Sequence, residues 1–200
     1  MTRLRSVPWR FRCTLLAALL VCLVSWPTSS AGSSRYPHVY DPELQYAATR
    51  FLSEHEWFWL KAQCYQESTL KPTAVSSVGA KGLCQFMDAT WNEVSGSLRL
   101  RASVFNPKAN ALAAGWYMRQ LHSRWNSDRP YMDRLRLAQA SYNAGLGNLL
   151  KFQRACGGAA LWREIEPCIS FRETRDYVIR IDKHYRIIRA TSLEEGELYD

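Results

Sequence analysis

The stretch that decides the fold runs from Gln66 to Trp91 and reads Gln-Glu-Ser-Thr-Leu-Lys-Pro-Thr-Ala-Val-Ser-Ser-Val-Gly-Ala-Lys-Gly-Leu-Cys-Gln-Phe-Met-Asp-Ala-Thr-Trp. It places one carboxylate, Glu67, at the end of an apolar helical segment, before a turn rich in glycine and small polar residues. Burial disfavours the charged form of a carboxyl group, so an acid in this position can stay protonated near neutral pH. The stretch therefore predicts a general acid, with Glu67 as the candidate catalytic residue.

The first residues of the chain have the pattern of a signal peptide. Four arginines precede an apolar run over residues 15–24, and the small residues Ser29-Ser30-Ala31 follow it. This order is typical of a secretory signal, and we expect cleavage after Ala31. The apolar run is shorter than the roughly 20 residues that span a bilayer, so a retained anchor is the less favoured alternative. We predict export to the periplasm or cell envelope, with membrane contact only if residues 1–31 are not cleaved.

The charge of the chain excludes some partners. The formal net charge is +8, and removal of the signal residues leaves +4, because four arginines and no acids are lost. A mildly basic protein suits an anionic polymer, such as an acidic cell-wall glycan. The arginines are spread along the chain and do not interleave with aromatic residues in a block. We therefore expect no nucleic-acid partner.

An even set of cysteines remains after the signal: Cys64, Cys84, Cys156 and Cys168. In an oxidising compartment such a set predicts two disulfides. Three connectivities are open, and we favour Cys64–Cys84 with Cys156–Cys168 because each closes a short loop. A zinc site is the rival interpretation, but no Cys-x-x-Cys or His-x-x-x-His spacing supports it, and we expect no metal. Buried free thiols are the remaining alternative.

Apolar spacing predicts one mainly helical domain over residues 42–190. Asp41 and Pro42 fit an N-cap followed by the first helical position, after a linker over residues 32–41. Residues 191–200 are acidic, and we expect them to be a disordered tail. No stretch of useful length alternates apolar and polar residues with the two-residue period of a β-strand. Further helices are predicted to run into Glu67 and over residues 88–94, 107–125, 134–142, 146–152 and 173–188.

Four segments resemble the soluble lytic transglycosylase family, and they occur in that family's order. These segments are Gln66-Glu67-Ser68, residues 76–87 (Ser-Ser-Val-Gly-Ala-Lys-Gly-Leu-Cys-Gln-Phe-Met), residues 140–145 (Ala-Ser-Tyr-Asn-Ala-Gly) and residues 173–178 (Glu-Thr-Arg-Asp-Tyr-Val). The resemblance implies a lysozyme-like fold, an α-rich α+β architecture with a single catalytic domain. It also implies cleavage of the β-1,4 bond between N-acetylmuramic acid and N-acetylglucosamine in peptidoglycan.

The resemblance assigns the catalytic acid to Glu67. This residue would protonate the departing glycosidic oxygen and then take a proton from the sugar's own C6 hydroxyl, which closes on the anomeric carbon to give a 1,6-anhydro end. Assistance by the substrate's 2-acetamido group removes the need for a nucleophile from the enzyme. The motif holds no second carboxylate near Glu67, since Asp88 lies beyond it. We expect no cofactor.

The resemblance also implies a set of substrate-binding residues. The Tyr142 phenol and Asn143 amide would orient Glu67 and the acetamido group, while Gln85 and Met87 would offer a polar contact and an apolar platform. Gly79 and Gly82 would let the backbone approach the sugar rings. The assigned set is Ser76, Gly82, Gln85, Met87, Tyr142, Asn143 and Glu173.

Four of these residues have plain structural alternatives. Ser76 could satisfy the backbone of its own loop, and Met87 could belong to the core. Asn143 stands at a helix stop, and Glu173 suits the dipole at the start of a helix.

The chain departs from the family at two cysteines. Cys64 stands where the family has a small residue, and Cys84 where methionine is common. If the two bond, the bridge ties the helix that carries Glu67 to the loop that carries Gln85.

Two other functions remain open on this resemblance. One is a hydrolytic muramidase similar to goose-type lysozyme, in which water replaces the C6 hydroxyl. The other is a catalytically silent glycan-binding component of a secretion, conjugation or phage-entry machine. The expected partners are peptidoglycan glycan strands, with such a machine as a further candidate.

Overall fold

The computed structural model describes residues 35–52, 57–126 and 128–196, with side chains as far as residue 193. The predicted signal peptide over residues 1–31 lies outside the described residues, which all belong to one compact unit. The architecture of this unit is helical, as predicted. Its helices are α1 (Asp41–Phe51), α2 (Trp57–Ser68), α3 (Asp88–Leu98), α4 (Pro107–Arg124), α5 (Tyr131–Ala144), α6 (Leu146–Ala155), α7 (Trp162–Ile165) and α8 (Arg172–Gly196), with a 3₁₀ turn at Glu166–Cys168.

Helix α1 begins one residue earlier than the sequence predicts. Asp41 is its first residue, and Tyr40 precedes it without a side-chain cap. The Asp41 carboxylate instead accepts a hydrogen bond from the Nζ of Lys61 at 2.9 Å. Lys61 has no solvent exposure, so its charge requires this partner, and the ion pair fastens α1 to α2.

The predicted linker and tail are partly wrong. Tyr36 is only 3% exposed; its ring lies 4.5 Å from that of Tyr65 and its hydroxyl lies 2.9 Å from Nδ1 of His184. Residues 35–40 are therefore part of the domain, because a buried aromatic ring holds them there. At the other end, α8 continues through Gly196 into the predicted tail.

Helix α4 shows how the sequence sets a helix start and a close packing. The Asn106 side chain accepts from the backbone N–H of Ala109 at 3.0 Å, and Pro107 occupies the first turn, as the sequence predicts. Gly115 faces α1, where an added Cβ would lie 2.9 Å from the carbonyl oxygen of Ala47. The absence of a side chain at Gly115 lets α1 and α4 pack closely.

Two groups of buried apolar residues form the core. One lies among α4, α5, α6 and α8 and contains Trp125, Leu137 and Ile181. The other lies among α1, α2, α3 and α4 and contains Leu60 and Phe86. Tyr142, in the last turn of α5, packs against both groups. The end of α5 therefore lies where the two parts of the core meet.

The segment between α2 and α3 has no regular secondary structure beyond two isolated bridges, Val75–Lys81 and Lys81–Phe86. It turns through several residues with left-handed backbone, which are Thr69, Leu70, Gly79, Gly82 and Gln85. We call residues 69–87 the cleft loop. No helix of the described residues is both long and apolar enough to cross a membrane.

Candidate active site

A cleft of about 530 Å³ opens between the ends of three helices and the cleft loop. The C-terminal ends of α2 and α5, the N-terminal turns of α8, and the cleft loop each contribute side chains. Seven of the eight residues predicted to be catalytic or substrate-binding line this cleft. The lining residues are Gln66, Glu67, Ser76, Val78, Ala80, Gln85, Met87, Tyr142, Asn143, Ala144, Phe171, Glu173, Thr174, Tyr177 and Arg180.

Glu67 is the next-to-last residue of α2 and keeps a small part of its surface in the cleft. Burial of the carboxyl group raises its pKa from 4.5 to about 7, a hydrogen bond from Tyr177 opposes the rise, and the charge of Glu173 adds to it. The negative end of the α2 dipole acts in the same direction as burial. A large fraction of Glu67 is therefore protonated at neutral pH, which a general acid requires.

The partner of Glu67 is Tyr177, which the sequence reasoning did not assign. The Tyr177 hydroxyl donates to Oε1 of Glu67 at 2.5 Å, across 110 positions of sequence. Because Oε1 accepts this bond, a proton on the carboxyl group belongs on Oε2. One sequence signal was available: Tyr177 follows Glu173 by four residues, so the two share a helix face.

Tyr142 does not donate to Glu67, although we expected it to orient this residue. Its hydroxyl donates to the backbone carbonyl of Cys84 at 2.8 Å. The phenol lies under the cleft loop. Tyr142 therefore affects Glu67 indirectly, by positioning that loop.

Asn143 lies in the cleft at the end of α5, and its Oδ1 accepts from the hydroxyl of Thr174 at 2.8 Å. Thr174 is almost fully buried at the start of α8. This bond leaves the Nδ2 donor of Asn143 for the cleft, and it also fixes the end of α5 against α8. Asn143 is therefore more than the helix stop that the alternative interpretation allowed.

The polar groups of Ser76 and Gln85 serve the cleft loop itself. Ser76 Oγ accepts from the backbone N–H of Ala80 at 2.9 Å, the local contact that the alternative interpretation named. Gln85 Nε2 donates to the carbonyls of Gly82 at 2.9 Å and Ala74 at 3.2 Å. Both side chains still line the cleft, so they form its wall and hold its shape.

Gly82 does not line the cleft, and the prediction that it approaches a sugar ring is wrong. Its φ is +84°, and a Cβ at this position would lie 2.3 Å from Nδ2 of Asn110 and 2.5 Å from the carbonyl oxygen of Val104. Asn110 is buried and binds the backbone of both Cys84 and Val104. Gly82 is required because the loop packs against this side chain.

Apolar side chains form the edges of the cleft. Met87 is 46% exposed, so the alternative that it belongs to the core is wrong. Val78, on the same loop, and Phe171, just before α8, are also exposed and line the cleft. Exposed apolar side chains on two sides of a cleft suit the faces of sugar rings. The described tryptophans do not line the cleft.

Two carboxylates face the cleft among the described residues, Glu67 and Glu173. Glu173 is exposed in the first turn of α8. Asp88 does not line the cleft; it pairs with the Nζ of Lys81 at 2.7 Å. The cleft therefore has one buried acid and one solvated acid.

The four cysteines form the two bridges that the sequence reasoning favoured, Cys64–Cys84 and Cys156–Cys168. The zinc and free-thiol alternatives are wrong, because all four sulfur atoms are bonded. Cys64 lies one turn before Glu67, so the first bridge joins the end of α2 to the cleft loop. The second joins the end of α6 to the 3₁₀ turn, and neither of its cysteines lines the cleft.

The cleft continues into a smaller cavity of about 240 Å³. Five residues are common to both spaces: Gln85, Met87, Tyr142, Asn143 and Ala144. Thr90, Tyr117 and Gly145 line only the smaller cavity. The two spaces adjoin along this shared wall, and we call them together the groove; Glu67 lines the larger of the two.

The family of this chain follows from its match to the family model named Transglycosylase SLT domain, which covers residues 45–163. This match spans more than half of the chain, and the chain belongs to that family. It ends before α8, so the match itself does not include Glu173 or Tyr177.

The curated relatives are named as lytic murein transglycosylases. The putative soluble lytic murein transglycosylase of Haemophilus influenzae is 29% identical over 164 residues, which is 78% of this chain and 26% of the relative. A membrane-bound lytic murein transglycosylase F of Alcanivorax borkumensis is 31% identical over 57% of this chain and 24% of the relative. The chain spans about a quarter of the length of these relatives.

Solved structures share the fold. An inactive mutant of the lytic transglycosylase Slt from Pseudomonas aeruginosa superposes with a TM-score of 0.67 at 28% identity, over 81% of this chain and 25% of that one. The 70 kDa soluble lytic transglycosylase of Escherichia coli superposes with a TM-score of 0.62 at 24% identity, over 78% of this chain and 25% of that one. The lysozyme-like fold predicted from the sequence is confirmed.

Proposed function

We propose that this protein is a peptidoglycan lytic transglycosylase that cleaves the β-1,4 bond between N-acetylmuramic acid and N-acetylglucosamine and leaves a 1,6-anhydro end. The observation that carries the proposal is the buried Glu67 carboxyl group, which has a raised pKa and accepts a hydrogen bond from Tyr177 at the wall of the cleft. Family membership and the names of the relatives support the same activity.

In the first step, the proton on Glu67 Oε2 passes to the glycosidic oxygen as the bond breaks. The hydrogen bond from Tyr177 holds Oε1 and therefore fixes the rotation of the carboxyl group. It also stabilises the carboxylate that remains.

In the second step, the Glu67 carboxylate accepts the proton of the C6 hydroxyl, whose oxygen bonds to the anomeric carbon. The pKa near 7 suits both directions of transfer, because neither the acid nor the carboxylate is strongly favoured at neutral pH. The enzyme ends the reaction with Glu67 protonated again.

The positive charge at the anomeric carbon needs a nucleophile or a stabilising group between these steps. We propose that the substrate's 2-acetamido oxygen supplies it, because the second cleft carboxylate, Glu173, is exposed and solvated. The free Nδ2 donor of Asn143 is suited to orient that acetamido group. Met87, Val78 and Phe171 would hold the sugar faces, with Ser76, Gln85 and Tyr142 shaping the wall.

The cellular setting is part of the proposal. Residues 1–31 would act as the export signal, so that residues 42–190 form the catalytic domain in the periplasm or cell envelope. Two disulfides are compatible with an oxidising compartment. Recruitment by a secretion, conjugation or phage-entry machine, which needs a local opening in the wall, is the partner hypothesis.

Replacement of Glu67 by Gln tests the activity. Glu67→Gln keeps the shape of the side chain and an oxygen that can accept from Tyr177, but it removes the transferable proton. We expect cleavage of purified peptidoglycan to fall by at least about 10²–10⁴-fold, the usual contribution of general acid catalysis. Mass spectrometry of the released muropeptides measures both the rate and the chemistry of the ends.

The matched control is Glu93→Gln, the same change at an exposed glutamate of α3 that does not line the cleft, and it should cleave as the unmodified protein does. Undiminished cleavage by Glu67→Gln would reject the assignment. Reducing ends in place of 1,6-anhydro ends from the unmodified protein would make the enzyme a hydrolytic muramidase.

A further inference from the structure

Three aromatic side chains meet where α2 packs on α8. The ring centre of Tyr36 lies 4.5 Å from that of Tyr65 in α2, and the Tyr36 hydroxyl lies 2.9 Å from Nδ1 of His184 in α8. The ring centres of Tyr65 and His184 are themselves 4.9 Å apart. Tyr36 precedes α1, and only 3% of its surface is exposed. A residue from outside both helices therefore bridges them, and we call Tyr36, Tyr65 and His184 the aromatic clasp.

The aromatic clasp lies beside the contact that the mechanism uses. Glu67 near the end of α2 meets Tyr177 near the start of α8, while Trp59 near the start of α2 stacks on Tyr185 farther along α8. The two helices therefore run antiparallel. His184 follows Tyr177 by seven residues, which is two helical turns, so both lie on the same face of α8. A shift of α8 at the clasp therefore moves Tyr177 relative to Glu67.

The residues of the clasp do not touch the substrate space. The described residues that line the two parts of the groove do not include Tyr36, Tyr65 or His184. Burial raises the pKa of the Tyr36 hydroxyl and lowers the pKa of His184. Both groups are therefore uncharged at neutral pH, and their hydrogen bond can lie between the helices without a counter-ion. These properties suit a contact that holds two helices together.

We propose, on the basis of the proposed function, that Tyr36 is a positioning residue for the acid: through Tyr65 and His184 it sets the place of α8 on α2, and thereby the hydrogen bond from Tyr177 to Glu67. Tyr36 itself meets no reacting atom. Opening the clasp should therefore lower kcat and leave KM nearly unchanged, because a small displacement of a catalytic group slows the reaction without removing a contact to the substrate.

Two substitutions open the clasp to different extents. Tyr36→Leu keeps an apolar side chain but removes both the ring and the hydroxyl, whereas Tyr36→Phe removes the hydroxyl alone. We expect kcat to fall about tenfold in Tyr36→Leu and about threefold or less in Tyr36→Phe, with KM within about twofold of the unmodified protein in both. The rate counts every glycosidic bond that is cleaved, with 1,6-anhydro and reducing ends taken together.

Tyr177→Phe shows whether the loss of rate passes through the partner of the acid. In that background Tyr36→Leu should lower kcat by less than about twofold, because the hydrogen bond through which Tyr36 acts is already gone. A tenfold loss that persists beside Tyr177→Phe overturns the proposal, and so does an unchanged kcat in folded Tyr36→Leu. If Tyr36→Leu does not fold, Tyr36→Phe replaces it in the same comparison, with the same criteria applied to its smaller loss.

Leu44→Ala is the control for a loss of stability alone. Leu44 is fully buried in α1, and no described residue of this helix lines the groove. This variant should melt at a lower temperature and keep the kcat of the unmodified protein while it is folded. A loss of kcat in folded Leu44→Ala as large as that in Tyr36→Leu would overturn the proposal, because destabilisation alone would then explain both.

The titration of Glu67 tests the clasp without any cleavage. The titratable and charged side chains beside Glu67 in the cleft are Tyr142, Glu173, Tyr177 and Arg180. Tyr36 is not among them, so it acts on Glu67 through the placement of the helices. Carboxyl ¹³C NMR of the full chain should show the pKa of Glu67 rising by about 0.5 in Tyr36→Leu, because the bond that lowers it is weakened. No further rise should appear when Tyr177→Phe is also present.

This measurement separates the clasp from the proposed function. A rise in the pKa of Glu67 that depends on Tyr177 supports the clasp even if the protein leaves reducing ends or does not cleave peptidoglycan. An unmoved titration in Tyr36→Leu overturns the clasp even if the unmodified protein yields 1,6-anhydro ends.

Discussion

At the scale of single residues, Glu67 depends on two opposing effects. Burial and the neighbouring Glu173 raise its pKa, and the hydrogen bond from Tyr177 lowers it, with a result of about 7. The carboxyl group therefore binds its proton more tightly in the folded protein than in the unfolded chain, where the pKa is near 4.5. Its contribution to stability is complete below about pH 4.5 and is lost as the pH rises through about 7.

This linkage predicts a pH-dependent difference between the unmodified protein and Glu67→Gln. From about pH 4.5 to above pH 7, the unmodified protein should lose up to about 3 kcal/mol of unfolding free energy that the uncharged variant keeps. Urea denaturation of both proteins across this range measures the difference, and the other titrating groups cancel between them. Parallel stability curves would show that Glu67 titrates like an exposed glutamate.

At the scale of elements, the cleft loop is held from several directions. The Cys64–Cys84 bridge joins it to α2, the Tyr142 hydroxyl binds the Cys84 carbonyl, and Asn110 of α4 binds the Cys84 N–H at 2.8 Å. These three contacts meet at one residue next to Gln85. The loop wall of the groove is therefore positioned by α4 and α5 as well as by α2, which carries Glu67.

Removal of each disulfide should have different consequences. Replacing Cys64 and Cys84 together by alanine should cost about 2–4 kcal/mol of stability and also lower cleavage at temperatures where the variant is still folded. Replacing Cys156 and Cys168 by alanine should cost a similar amount of stability while leaving cleavage by the folded protein nearly intact, because neither cysteine of that bridge lines the groove. Melting curves and muropeptide release measure the two properties. Equal activity of the two folded variants would contradict this role for the first bridge.

At the scale of the whole molecule, the site exists because helices from both ends of the described chain pack together. Helix α1 lies on α4, and α2, which carries Glu67, lies on α8, which carries Tyr177. The stacked rings of Trp59 and Tyr185, 3.6 Å apart, add to the contact between α2 and α8. The distance between Glu67 and Tyr177 is set by this packing.

Replacement of Gly115 by alanine tests the close packing of α1 on α4, and the same replacement at Gly96 is the control. Gly115→Ala places a methyl group 2.9 Å from the Ala47 carbonyl oxygen and should destabilise the fold by about 1–3 kcal/mol. Gly96→Ala, in α3, meets nothing within 4 Å and should stabilise the fold by about 0.5–1 kcal/mol through helix propensity. Chemical denaturation of both variants measures the sign of each change in unfolding free energy. A neutral Gly115→Ala would show that the two helices can separate without cost.

Several local features could be predicted from the sequence because neighbours within a few residues produce them. Asn106 and Pro107 mark the start of α4, and the apolar spacing over residues 107–125 marks its length. The motif around Glu67 located the acid beside a loop with left-handed positions. The short separations of the four cysteines favoured the pairing that the structure contains.

The same local reasoning failed where a distant contact decides the outcome. Gly82 looked like a backbone approach to sugar, but the side chain of Asn110 is what excludes a Cβ there. Tyr36 stood in a segment of small and polar residues that resembled a linker, yet it is buried against Tyr65 and His184. Tyr142 was expected at Glu67 and instead binds the carbonyl of Cys84.

The sequence by itself determined that the protein is helical, that its cysteines pair in two short loops, and that the Glu67 carboxyl group stands at the end of a helix before a loop with glycines, because each of these depends on residues close together in the chain. Only the tertiary structure decided that Tyr177 donates a hydrogen bond to Glu67 and that Arg180 lines the same cleft, since α8 is brought to α2 by packing across more than a hundred residues. The pKa of Glu67 likewise belongs to the folded molecule, because burial and the two neighbours that set it exist only after the helices have met.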